Sequence, residues 1–143
     1  MVLDSWAVMA WLKGEQPAAA RVRDLLEAAD RKEGKLLMNI LNVGEVFYLC
    51  AKARNRAYAE RVLQNLRSRV GTVSATDELI LDAVRLKAKY PVSYADAFAA
   101  VTAMNQNAAL VTGDPELRSV ATAERSLKLE WVAGESRHSG FVD

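Results

Sequence analysis

Four carboxylates in this chain stand where a charge is hard to keep: Asp4, Glu45, Asp96 and Asp114. Asp96 sits inside Tyr94-Ala95-Asp96-Ala97-Phe98-Ala99-Ala100-Val101, a helix-like run apolar on nearly every side, and no Lys or Arg falls three or four residues away to neutralise it. A carboxylate taken out of water must be paired or bound to a cation, because desolvating it alone is very unfavourable. Glu45 keeps similar company in Val43, Gly44, Val46, Phe47 and Leu49. A local alternative stays open for both. Glu45 stands three residues after Asn42 and Asp96 three after Ser93, the spacing of a capping box or of a favourable charge at a helix N-terminus. Four acids converging without a cation would repel one another, and some would take up protons. Hard oxygen donors at that density suit Mg²⁺ (or Mn²⁺), which keep several waters and serve phosphate chemistry. A cation so held lowers the pKa of a bound water, presents it to a phosphodiester and steadies the leaving oxygen, with a 5′-phosphate and a 3′-hydroxyl as the expected products.

The acids can converge only if the elements carrying them begin or end at one rim. Val2-Leu3 reads as a short strand stopping at Asp4-Ser5, followed by a helix over Ala7 to Leu12. From Pro17 to Arg31 the apolar positions Val22, Leu25, Leu26 and Ala29 fall at helical spacing, with Pro17 suited to a first turn. Leu36-Leu37-Met38, bounded by Gly34 and Asn39, predicts a buried strand. Val43 to Ala53 reads as helix, and a further helix places Ala59, Val62, Leu63, Leu66 and Val70 on one face. Thr72-Val73-Ser74 predicts a strand before a helix from about Asp77 to Lys89. Pro91 interrupts, and Ser93 caps a helix to about Asn105. Ala109 to Thr112 is then a strand closed by Gly113-Asp114-Pro115, and a last strand lies near Leu129 to Val132.

Strands separated by helices need parallel pairing with crossovers, so the expected class is α/β, a three-layer α/β/α arrangement with a mainly parallel central sheet. Ligands bind such sheets beyond the carboxyl ends of the strands. Asp4 follows the first strand and Asp114 the fourth, while Glu45 and Asp96 fall in the first turns of helices expected to start after Asn42 and Ser93. All four are thus expected at the same edge.

The rest of the sequence bounds this reading. With 143 residues, 51% of them apolar, one domain over residues 1–133 is expected, followed by a polar C-terminal tail at 134–143. A net charge of +1 excludes a strongly basic coat, so any nucleic-acid contact must be a local patch. Cys50 is the only cysteine; it reads as a core residue in a reducing compartment. No apolar run reaches the roughly 20 residues that span a bilayer, and the start lacks a basic stretch followed by an apolar one, so a cytoplasmic protein without a membrane partner is expected. His138 is the single histidine, which argues against a two-histidine, metal-free ribonuclease. No Gly-rich phosphate loop is present. Trp11, Phe47, Phe98 and Trp131 read as core; Trp6, near Asp4, is the aromatic positioned for substrate.

The segments Val2-Leu3-Asp4-Ser5, Asn42-Val43-Gly44-Glu45-Val46, Tyr94-Ala95-Asp96-Ala97-Phe98-Ala99-Ala100 and Leu110-Val111-Thr112-Gly113-Asp114-Pro115 resemble, in order and interval, the four acidic motifs of PIN-domain ribonucleases, those of VapC-type toxins in particular. The resemblance covers about residues 1–133. It implies metal-binding and catalytic roles for Asp4, Glu45, Asp96 and Asp114, with the hydroxyls of Ser5 and Thr112 as helpers. It further implies a homodimer, an antitoxin that fills the groove and reaches the acids with a basic side chain, and cleavage of structured RNA such as transfer or ribosomal RNA. Two departures stand out: Trp6 is bulky where many relatives carry a small polar residue, and Leu117 stands where Phe is frequent. Lys52, Arg54, Arg56 and Arg118 lie near the motifs and could meet RNA phosphates, although helical exteriors carry charge in any case. Two rival readings are a non-catalytic PIN-like module that binds RNA or protein, and a receiver-type signalling domain. The latter would want paired acids after the first strand and a late lysine, where this chain has Asp4 alone and Thr112-Gly113-Asp114.

Overall fold

A computed structural model describes residues 1–134; His138 and the expected tail beyond Gly134 lie outside the described residues. The chain runs β1 (Val2–Leu3), α1 (Ser5–Lys13), α2 (Ala18–Asp30), β2 (Leu37–Asn39), α3 (Ile40–Ala53) and α4 (Arg56–Arg69). It continues through β3 (Gly71–Val73), α5 (Asp77–Lys89), α6 (Tyr94–Asn105), β4 (Leu110–Thr112), α7 (Pro115–Ala123) and β5 (Leu129–Trp131). The five strands form one sheet in the order β3-β2-β1-β4-β5, and every pairing is parallel.

Side-chain alternation along these short strands builds the layers. Leu3, Met38 and Val111 point to one face, where they join Val8, Val22, Leu26, Val46, Val62 and Leu66 from α1 to α4. Val2 and Leu110 point to the other, against Leu79, Leu86, Phe98, Leu117 and Val120 from α5, α6 and α7. The register explains the division, since Val2 pairs with Leu110 and Leu3 with Val111. A parallel sheet covered on both faces, the three-layer α/β/α class, is the result.

Three details differ from the sequence expectation. α3 starts at Ile40, not after Asn42, because the Asn39 side chain accepts a hydrogen bond from the Leu41 N–H at 2.8 Å and caps the helix three residues earlier. Glu45 therefore lies in the second turn, and its reading as a capping-box partner of Asn42 falls. α7 is a helix that the sequence does not announce; Asp114 caps it, accepting from the Glu116 N–H at 3.0 Å, and Pro115 occupies its first turn. Phe98, Trp11 and Phe47 pack into the two cores as expected. Trp131 instead takes the Arg118 guanidinium 4.0 Å from its ring centroid. Several large apolar side chains remain exposed: Ile40, Leu41 and Tyr48 on α3, Ile80, Leu81 and Val84 on α5, and Tyr94 at the start of α6. Among the described residues no helix is long and apolar enough to cross a membrane.

Candidate metal centre

The sheet order creates the site. From β1 the chain proceeds to β2 and β3 on one side, then returns to β4 and β5 on the other, so β1 and β4 flank a topological switch point. Asp4 leaves the carboxyl end of β1 and caps α1, its Oδ1 accepting from the Ala7 N–H at 2.8 Å. Its residue is 1% exposed, and Oδ2 is buried without a hydrogen-bond partner. Burial pushes the Asp4 carboxyl up to about 7, helped by the charges of Asp114 and Glu45 and opposed by the Thr112 hydroxyl and the Ala7 N–H.

Across the crevice, the buried Thr112 hydroxyl accepts from the Asp114 N–H at 3.0 Å and fixes the turn that carries Asp114. Asp96 enters from α6, whose first turn is capped by Ser93 accepting from the Asp96 N–H at 3.1 Å. Burial, then hydrogen bonding and repulsion from Asp114, then the charges of Asp4 and Glu116, all hold the Asp96 carboxyl well above the usual carboxylate range. Glu45 reaches in from α3, and the Ser5 hydroxyl donates to its Oε1.

Asp96, Asp114 and Glu116 each offer a carboxylate oxygen, and these oxygens lie within 4.8 Å of one another. Sequence reasoning does not single out Glu116. The Asp114-Pro115-Glu116 string carries the signal, because a Pro in a first helical turn places the next acid beside the cap. Lys13 escapes the same reading. It follows Trp6 and Met9 at helical spacing on α1, a stripe that faces the site.

These residues bound an open groove of about 470 Å³. Glu45, Asp96, Asp114 and Glu116 line it together with Ser5, while Trp6, Met9 and Leu49 give it an apolar wall. Lys13 also lines it, at about 12 Å along α1 from Ser5 by the usual helical rise. The benzo end of the Trp6 indole rests directly on Gly113, so that a Cβ at that position would lie well inside contact distance of Trp6 Cη2. The other basic candidates lie outside the groove lining. The Lys52 ammonium is 5.5 Å from the Tyr48 ring, the Arg54 guanidinium 4.2 Å from that of Tyr58, Arg56 pairs with Glu60 at 3.7 Å, and Arg118 covers Trp131.

The donor set fits a hard divalent cation. Asp4 Oδ2 is buried without a hydrogen-bond partner, other carboxylates crowd the group, and all the acids offer oxygen alone. Mutual repulsion that a proton would otherwise relieve is relieved as well by a cation.

A three-layer α/β/α molecule with carboxylates gathered at its switch point defines the class. The chain belongs to the PIN-domain family, whose model matches residues 1–123. No curated protein matches it. Among solved structures it is similar to a VapBC2 complex from Rickettsia felis bound to a promoter DNA fragment, at 17% identity and a TM-score of 0.68, covering 92% of this chain and 98% of that one. It is also similar to a DNA-bound VapBC from Salmonella typhimurium, at 16% identity and a TM-score of 0.67, covering 90% and 95% respectively. A VapBC-1 structure from nontypeable Haemophilus influenzae matches at 18% identity and a TM-score of 0.64, covering 91% and 96%. At such identities the likeness is one of fold.

Proposed function

We propose that this chain is a Mg²⁺- or Mn²⁺-dependent endoribonuclease, the VapC-type toxin of a toxin–antitoxin pair. One observation carries the reading: Glu45, Asp96 and Asp114, far apart in sequence, line one groove, and Asp4 Oδ2 is buried without a hydrogen-bond partner. Asp4, Glu45, Asp96 and Asp114 hold the cation, and Glu116 lies close enough to Asp96 and Asp114 to join them. The bound cation supplies Lewis acidity and a water of lowered pKa for attack on a phosphodiester.

The chain's own groups do the rest. Ser5 orients Glu45 through its hydroxyl, and Thr112 sets the turn of Asp114. Trp6 and Met9 form a wall against which a nucleotide can lie, and Lys13 meets a phosphate farther along the strand. Lys52, Arg54, Arg56 and Arg118 contact flanking phosphates outside the groove. Transfer or ribosomal RNA is the substrate class, and the cytoplasm the site of action.

An antitoxin segment with apolar side chains and one basic residue complements the same groove, whose wall is apolar and whose end is acidic. The exposed Ile40, Leu41 and Tyr48 of α3 and Ile80, Leu81 and Val84 of α5 are large apolar side chains that a homodimer would cover.

The test is a nuclease assay on structured RNA with Mg²⁺ or Mn²⁺, comparing wild type with Asp96→Asn. The variant should lose more than the roughly 10- to 100-fold that removal of an outer partner of a metal ligand costs. Equal activity in the two proteins would mean that the acids hold no catalytic metal and that the chain binds RNA or protein without cutting.

A further inference from the structure

Two asparagines of one helical turn are completely buried, and neither is a ligand. Asn39 and Asn42 are both 0% exposed. The amide of Asn39 donates to the Thr102 hydroxyl at 3.1 Å, and that hydroxyl donates in turn to the Phe98 carbonyl at 2.7 Å, so the start of α3 is tied to the middle of α6. Asn42 donates to the Ala95 carbonyl at 3.0 Å, tying the next part of α3 to the first turn of α6. Successive ties run in opposite directions along the two helices, 39 to 102 and 42 to 95, which fixes their mutual register.

The second tie is the informative one. The Ala95 carbonyl and the Asp96 N–H belong to the same peptide unit. Its oxygen is held by Asn42 of α3, and its N–H donates to Ser93. Asn42 also precedes Glu45 by three residues, on the same side of α3. One amide on the Glu45 helix thus grips the peptide from which Asp96 hangs. Meanwhile Asn42 Oδ1 is buried with no hydrogen-bond partner. A leucine would fill this place without stranding an acceptor, and apolar contacts nearby, such as Val43 and Val46, already supply burial. Apolar packing is not directional, whereas a hydrogen bond constrains both distance and angle.

We infer that Asn42, assisted by Asn39 and Thr102, is a positioning residue that sets the separation of the Glu45 and Asp96 carboxylates and so tunes the cation affinity of the site. The inference rests on the metal-binding reading given above. Asn42 touches neither substrate nor metal; it acts through the peptide it holds.

The experiment is Mn²⁺ titration followed by electron paramagnetic resonance, with thermal unfolding of the EDTA-treated proteins measured in parallel. Asn42→Leu should unfold at the wild-type temperature or above while binding Mn²⁺ about 10- to 100-fold more weakly, the range found when a group that orients a metal ligand is lost. Val43→Ala, which removes only apolar contact from the same turn, should unfold earlier and keep its Mn²⁺ affinity. Should the leucine variant fail to fold, Thr102→Val cuts the other tie at almost constant shape and should also weaken Mn²⁺ binding. Wild-type affinity in the folded Asn42 and Thr102 variants would overturn the inference while leaving the metal site standing. Absence of Mn²⁺ uptake by the wild type would overturn the metal reading itself.

Discussion

At the scale of single residues, the contact of Trp6 with Gly113 is the tightest constraint near the acids. Because a Cβ at 113 would overlap the edge of the Trp6 ring, Gly113→Ala should destabilise the protein by about 1–3 kcal/mol, the usual cost of overpacking. Trp6→Ala combined with Gly113→Ala should recover most of that loss, a coupling that urea denaturation of the two single variants and the double variant would measure. The acids themselves are legible in the sequence because each breaks a local rule: Asp96 and Glu45 in apolar company, Asp4 and Asp114 directly beyond strands. Glu116 and Lys13 are not. Charged residues on short helices are ordinary, and their significance appears only when the helix that carries them is placed against the groove. The role of Asn42 is hidden for a related reason. A polar residue close to a helix start reads as a cap, and only the earlier start of α3 moves it inside.

At the scale of elements, Asp114 serves twice, as a proposed ligand and as the cap of α7. The two duties separate by substitution. Asparagine caps about as well as aspartate, so Asp114→Asn should fold with near wild-type stability and lose metal binding. Asp114→Ala should lose metal binding and a further ~1 kcal/mol of stability. Calorimetry of metal and of unfolding would read the two effects apart. Most elements follow from periodicity alone, and α5 begins and ends where its apolar spacing predicts, at Asp77 and Lys89. α7 escapes because its nine residues hold only two buried positions, Leu117 and Val120, too few to establish a period. α3 begins early because its cap, Asn39, also ends a strand, and one residue closing two elements hides the boundary.

At the scale of the whole molecule, the crowded acids link folding to pH. Asp4 ionises near 7 in the folded protein, against an ordinary value of 3.8 when the chain is unfolded. Its carboxyl therefore favours the metal-free folded state in full below about pH 4, and that contribution is lost as the pH rises through 7; Asp96 is displaced in the same direction. EDTA-treated protein should melt at a lower temperature at pH 8 than at pH 5. Mn²⁺ at one fixed concentration should stabilise it more at pH 8 than at pH 5, reaching about 2.7 kcal/mol where it stands at 100 times its dissociation constant. A reversed pH trend, followed by scanning calorimetry, would show that the acids are not crowded in solution. The order of the strands also governs when such a centre can exist. β1 lies in the middle of the sheet, and its neighbour on one side, β4 at Leu110–Thr112, comes far later along the chain. A fragment that ends before Asp96 carries only Asp4 and Glu45 of the four acids, so the proposed centre cannot assemble in it.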